Sequence, residues 1–252
     1  MRNCLIGLIL VVAVLAFSPV MAAQTAAPSG ATGAGATLQT PDGKPDLSGI
    51  WYRPSRLLGF SEGEPPMKPE AKEKYDAAWD GETGILSEVP PMACLSFGTP
   101  RMYFARSPFE IFQVPGRVIM IFEAYRQARI IYTDGRGHPE GTPDSFMGHS
   151  IGKWDGETLV VETTGFYGEG VTLVDRSHPH SDALRVVERF RRVNYDTLEI
   201  DILIDDPQVY TKPWGGKMPF ELEPDWELME NFTCFEDFEK TLPAMFGAAK
   251  DD

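Results

Sequence analysis

A chain of 252 residues with a net charge of −14 is long enough for one domain with a sizeable core, and far too acidic to seek phosphate backbones. That charge excludes nucleic acid as a natural partner. The sequence also lacks the basic amphipathic stretch that would hold an anionic membrane surface.

The N-terminus reads as an export signal. Arg2 supplies a short positive region, Leu5 to Phe17 an apolar one, and Val20-Met21-Ala22-Ala23 the small residues a signal peptidase takes. The apolar run is shorter than the roughly 20 residues that span a bilayer. Residues 1–22 are therefore expected to be removed, taking Cys4 and Arg2 and leaving the mature chain one unit more acidic. Periplasmic or secreted localisation follows, with no membrane insertion after cleavage. Residues 23–44 have the composition of a flexible linker, so a single β-rich domain is expected over 45–252. Cys94 and Cys234 remain. In an oxidising compartment they are expected to form a disulfide closing a loop of about 140 residues, on the order of 4–5 kcal/mol in the chain-entropy picture.

Gly49-Ile50-Trp51 opens the domain on a strand and resembles the start of lipocalin-type barrels. Pro69 to Trp79 reads as the one clear helix, with proline in its first turn and Asp80-Gly81 as its stop. Strand signals then dominate. Phe109 to Val114 and Arg117 to Ala124 flank Pro115-Gly116; Arg129 to Thr133 ends at Asp134-Gly135; a long loop runs from His138 to Met147. His149 to Trp154 and Glu157 to Thr164 flank Asp155-Gly156, the strongest hairpin signal. Ala183 to Arg192 and Thr197 to Ile204 form another hairpin, and Asp225 to Cys234 reads as a last strand before a short helix near Glu236 to Met245. Roughly seven to nine strands joined by short turns imply an all-β fold, mainly an antiparallel meander. It is either a lipocalin-like β-barrel or a strongly curved sheet, with one or two short helices.

Alternation shows which side chains point inward. Leu198, Ile200, Ile202 and Ile204 alternate with Glu199 and Asp201. In the preceding strand Leu184, Val186 and Phe190 share one face, Arg185, Arg189 and Arg191 the other, and Glu188 falls on the apolar face. An inward carboxylate is costly unless paired or protonated. Either it meets an inward arginine or sits where the strand ends or bulges early, or it faces a ligand cavity with a raised pKa suited to acid–base work. Were the strand to continue back to His180, a rise of about 3.3 Å per residue would put His180 about 26 Å from Glu188. The two could then share one small reacting group only if the chain bends between them.

All four histidines, His138, His149, His178 and His180, lie in one stretch of the chain. His149, where the long loop enters a strand, and His180 suit a base and acid pair, with Asp144 or Asp175 orienting one ring. His178 and His180, two apart, offer two ligands for zinc, copper or iron, with His149, His138, Asp144, Glu140 or Asp175 as the third. A divalent metal is thus the alternative to a site without a cofactor. Neither Ser150 nor Ser181 sits in a Gly-x-Ser-x-Gly elbow, and Gly135-Arg136-Gly137 lacks the lysine and helix of a phosphate loop. Ser150, Ser181, Arg189, Tyr210 and Trp214 stand as substrate-binding candidates beside the catalytic candidates His149, His180, Asp144 and Glu188.

Several stretches carry a resemblance: Pro45-Asp46-Leu47-Ser48-Gly49-Ile50-Trp51, MGHSIGKWDGETLVVETTGF from Met147 to Phe166, PHSDALRVVERFRR from Pro179 to Arg192, and Asp205-Asp206-Pro207 with Tyr210 to Trp214. They resemble a broad family of secreted, functionally uncharacterised bacterial proteins. The resemblance covers most of the mature chain and implies export and one domain. It directs attention to His149, His180, Ser181, Glu188 and Arg189, which fall inside its motifs; His138 and His178 lie at or beyond the motif edges. The expectation is an exported enzyme acting on a small, partly apolar organic substrate by histidine acid–base catalysis, of lyase, hydratase or isomerase type. A non-catalytic carrier of a small hydrophobic ligand and a metal-dependent hydrolase or oxygenase are the alternatives.

Overall fold

A computed structural model of the chain describes residues 38–53, 64–78, 97–105, 107–141, 143–168, 172–173 and 178–229. The expected signal segment, Cys94, Cys234, Asp175 and the C-terminal helix lie outside the described residues, as do residues 23–37 of the expected linker. The rest of that linker is part of the fold. Residues 38–46 form a turn in which the Thr40 amide donates to the Lys44 carbonyl at 2.8 Å and the Asp46 amide to that of Leu38 at 2.7 Å.

Nine strands close into a barrel in sequence order: β1 (Gly49–Tyr52), β2 (Phe109–Val114), β3 (Arg117–Phe122), β4 (Gln127–Tyr132), β5 (His149–Asp155), β6 (Thr158–Thr164), β7 (Arg185–Arg192), β8 (Thr197–Asp205) and β9 (Trp214–Leu222). The closed form of the two expected architectures is the one adopted. Tight turns at Pro115-Gly116 and Asp155-Gly156 join their strands as the sequence implies, each glycine taking the positive φ, +76° and +58°, that such turns require.

One feature departs from a simple meander. β4 and β5 pair in parallel, with Ile131 opposite Ser150 and Tyr132 opposite Ile151. Parallel neighbours cannot be joined by a tight turn. Residues 133–148 therefore travel from the hairpin end, where the β2–β3, β5–β6 and β7–β8 turns lie, to the opposite end before β5 begins. That crossover carries His138 back along the wall to His149.

Two expected strands are corrected. Among the described residues the last strand is β9; residues 225–229 of the expected Asp225 to Cys234 strand are irregular, and 230–234 lie outside the described residues. Gly215, Gly216 and Pro219 disguise β9 in the sequence. Pro219 is tolerated because β1 pairs with β9 only at Glu221 and Leu222, so no ladder bond is asked of its nitrogen on that side. β7 begins at Arg185, and residues 181–184 turn instead of extending the strand back through His180. The one α-helix among the described residues, α1 (Pro69–Ala78), agrees with its expected span to within a residue.

Inward positions fill the barrel. Leu198, Ile200, Ile202 and Ile204 of β8 are buried, as are Phe109 and Ile111 of β2, Val118, Met120 and Phe122 of β3, and Met218 and Phe220 of β9. A 3-10 turn, Arg101–Phe104, inserts Met102 and Tyr103 among them. Tyr103, Phe109, Phe122 and Phe220 pack with ring centroids 5.1 to 5.9 Å apart. Each large apolar side chain buried in this way contributes roughly 1.5–3 kcal/mol. Among the described residues no helix is long and apolar enough to cross a membrane.

Candidate functional site

The sequence candidates are distributed over three places, two of them on opposite faces of the β5–β6 wall. Inside, Glu188 is fully buried and meets an inward arginine, Arg129 of β4. The guanidinium uses all its donors. Its Nη1 donates to Glu188 Oε1 at 2.9 Å and to the Tyr103 hydroxyl at 2.7 Å; Nη2 donates to Thr163 Oγ1 at 2.9 Å and to Glu188 Oε2; Nε donates to Ser150 Oγ at 3.1 Å. The Tyr103 hydroxyl in turn donates to Glu188 Oε1 at 2.7 Å. Burial pushes the Tyr103 hydroxyl well above the ordinary tyrosine value, so it stays a donor. Burial, the largest single influence, would lower the pKa of Arg129, but the charges and hydrogen bonds of Glu188 and Tyr103 together outweigh it and hold the guanidinium above its ordinary value. Ser150 and Glu188, expected to touch substrate or move protons, are thus members of a buried network that takes up every donor of the guanidinium.

Outside, His149 faces away from the lumen, paired in register with Thr164. The crossover places His138 Nδ1 2.9 Å from His149 Nδ1. Behind His138, its Nε2 lies 3.4 Å from Glu162 Oε1, close but without hydrogen-bond alignment. Glu162 is held in turn by Arg185, whose Nε donates at 2.6 Å. Tyr132 stacks on His149 with centroids 5.4 Å apart and planes 18° apart, and the Arg136 guanidinium lies over the Tyr132 ring, 4.1 Å from its centroid. In front of His149 a groove of about 630 Å³ is lined by Asp134, Arg136 and Pro139. Burial, then the neighbouring His138 and Arg136, lowers the pKa of His149 below 6.5. Gly148 fixes this corner. Its φ is +65°, and a Cβ there would stand 2.6 Å from Thr163 Cγ2 and 2.9 Å from a Phe166 ring carbon.

The third place is the barrel end opposite the hairpins. Asp206, buried, accepts from the Ser181 amide at 2.6 Å, the Ser181 hydroxyl at 2.8 Å and the Gln208 amide at 3.1 Å. This clasp makes the turn that ends the expected extension of β7. His180 Nδ1 donates to the Ser181 carbonyl at 3.0 Å, and burial lowers its pKa below 6.5. Tyr210 donates to the Pro179 carbonyl at 2.8 Å and packs against Trp214, which packs against His178.

The structure therefore brings His180, Ser181, Tyr210 and Trp214 to one end, and His149 to the wall with His138. Among the described residues no hydrogen bond, ion pair or ring contact joins His149 to His180. Asp144 is exposed and bonds neither histidine, and Arg189 is exposed, 3.9 Å from Asp155. His149, His178 and His180 do not form one ligand set: among the described residues no three His, Cys, Asp or Glu side chains are grouped to hold a metal ion. Arg129, Tyr103 and Thr163, together with the partners Glu162 and His138 of the wall, are the participants that local spacing does not reveal.

No protein-family model matches the chain, and no curated protein sequence matches it. The chemistry of the site itself has to carry any functional assignment.

Proposed function

We propose that the chain is an exported barrel enzyme that moves protons on a small organic substrate held in the groove before His149. The observation that supports this is the contact of His138 Nδ1 with His149 Nδ1 at 2.9 Å, with Glu162 behind one ring and open groove before the other. Two ring nitrogens at that distance share one proton. Glu162 favours a proton on His138 Nε2, which leaves His138 Nδ1 as acceptor and His149 Nδ1 as donor. His149 Nε2 then carries a lone pair, and its lowered pKa keeps it unprotonated at neutral pH, the state a general base needs. When His149 Nε2 takes a proton, His149 Nδ1 goes on donating to His138 Nδ1, so the ring keeps its orientation. Arg136 beside the groove favours substrates that carry or develop negative charge. His138 and Glu162 replace Asp144 and His180 as the partners of His149.

A lumen carrier is less favoured, because the inward positions are occupied by large apolar side chains and the Arg129 network. The test is solvent-deuterium exchange into small carbonyl and carboxylate compounds, followed by proton NMR with the mature wild-type protein and with His149→Ala. The expected result is exchange that falls by about 10²- to 10⁴-fold in the variant. Equal exchange by both proteins contradicts the assignment.

A further inference from the structure

A second recess lies at the hairpin end of the barrel, between the turn at residues 38–46 and the β2–β3 turn. Its volume is about 370 Å³, within the range that takes a small ligand. Trp154 stands opposite the inward Leu159 in register, so its indole faces the barrel mouth, and with Val118 and Val114 it gives the recess an apolar side. The walls are pinned. The Gln113 side chain donates to the Pro45 carbonyl at 3.1 Å and accepts from the Leu47 amide, tying the 38–46 turn to β2.

The charges around this recess are unbalanced. Asp42, its one lining carboxylate, is engaged by the Thr40 hydroxyl at 2.5 Å. Lys44 and Arg117 line the same recess, and neither enters an ion pair among the described residues. Arg117 lies 5.5 Å from the Tyr132 ring. Asp42 keeps its charge, so the lining carries one positive charge in excess, a local inversion of sign in a chain of net charge −14.

From this geometry we infer that the recess binds a small organic anion with a flat apolar body, such as an aryl carboxylate. The ring lies against Trp154, and the carboxylate meets Lys44 and Arg117. The site is separate from the groove before His149 and does not rest on catalysis there.

The test uses benzoate and its neutral isostere benzamide with the mature full-length protein, read by the Trp154 indole resonance and by calorimetry. Benzoate is expected to bind with Kd near 1 mM or below, and benzamide about tenfold more weakly. The double variant Lys44→Gln with Arg117→Gln, the first half-buried in the 38–46 turn and the second exposed at the start of β3, is expected to keep the wild-type unfolding midpoint and lose about tenfold in benzoate affinity. His149→Ala is expected to bind benzoate as the wild type does. The inference is overturned if benzoate at about 20 mM leaves the Trp154 resonance unmoved. Equal binding of benzamide, unchanged affinity in the double variant, or loss of binding in His149→Ala each overturns it as well.

Discussion

Two clusters of opposite character sit back to back on the same strands. Ser150 and Thr163 point inward to Arg129 and Glu188, and their sequence neighbours His149 and Glu162 point outward to His138. Both clusters set a carboxylate beside a nitrogen-bearing side chain. Inside, every guanidinium donor is used and the groups are fully buried. Outside, His149 lines a groove and His138 Nε2 lies near its carboxylate without alignment. A network whose capacity is used up fixes a structure. One with capacity to spare can exchange a proton with something else.

The contrast breaks first at Arg129. Arg129→Met leaves the Glu188 charge buried and alone, and about 3–5 kcal/mol of stability is expected to go. Arg129→Met with Glu188→Leu is expected to recover much of that loss, measured by denaturant unfolding at pH 7. If the single variant unfolds at the wild-type midpoint, the inner network is not structural.

Next in size is the clasp at the opposite end. Asp206→Ala leaves the Ser181 and Gln208 amides without their acceptor and is expected to cost about 1–3 kcal/mol, read from the same unfolding curves. A loss well above that range would mean that Asp206 also supports neighbouring elements.

The pH dependence comes third. His149 and His180 both have native pKa values below 6.5. Between those values and 6.5 the unfolded chain binds more protons than the native one, so stability rises with pH there. The histidine contribution is therefore fully present above about pH 6.5 and is lost as pH falls through the two native values. His180, the more deeply buried, should dominate. His180→Gln is expected to flatten the fall in unfolding midpoint between about pH 6.5 and 5, and an unchanged slope would remove His180 from the effect.

The smallest stability effect is expected on the wall. His138→Asn should change unfolding free energy by no more than about 0.5 kcal/mol, because the position is near the surface. It removes one of the causes that lower the pKa of His149, so that pKa should rise.

How much of this was legible in the sequence follows from the range of each signal. Hairpins read clearly because Asp155-Gly156 and the alternation of Leu198 to Ile204 are local. Glu188 was legible as inward because it interrupts a clean apolar face, and pairing with an inward arginine was one of its expected outcomes. Arg129 was not legible as that partner. In β4 both faces carry apolar residues, with Ile131 inward and Ile130 outward, so the alternation does not mark Arg129 as buried. The meeting of His138 with His149 depends on the parallel β4–β5 pair, a tertiary fact that no residue spacing encodes. β9 was hidden by glycines and a proline that suit its position and contradict strand propensity.

The most direct test of the central claim is a nitrogen-15 NMR titration of the histidine rings in wild-type protein and in His138→Asn. Proton sharing on the wall requires that His149 titrate below 6.5, that its Nδ1 carry the proton in the neutral form, and that its midpoint rise when His138 is replaced. If His149 titrates at 6.5 and ignores that replacement, the two rings do not act as a pair and the acid–base assignment fails.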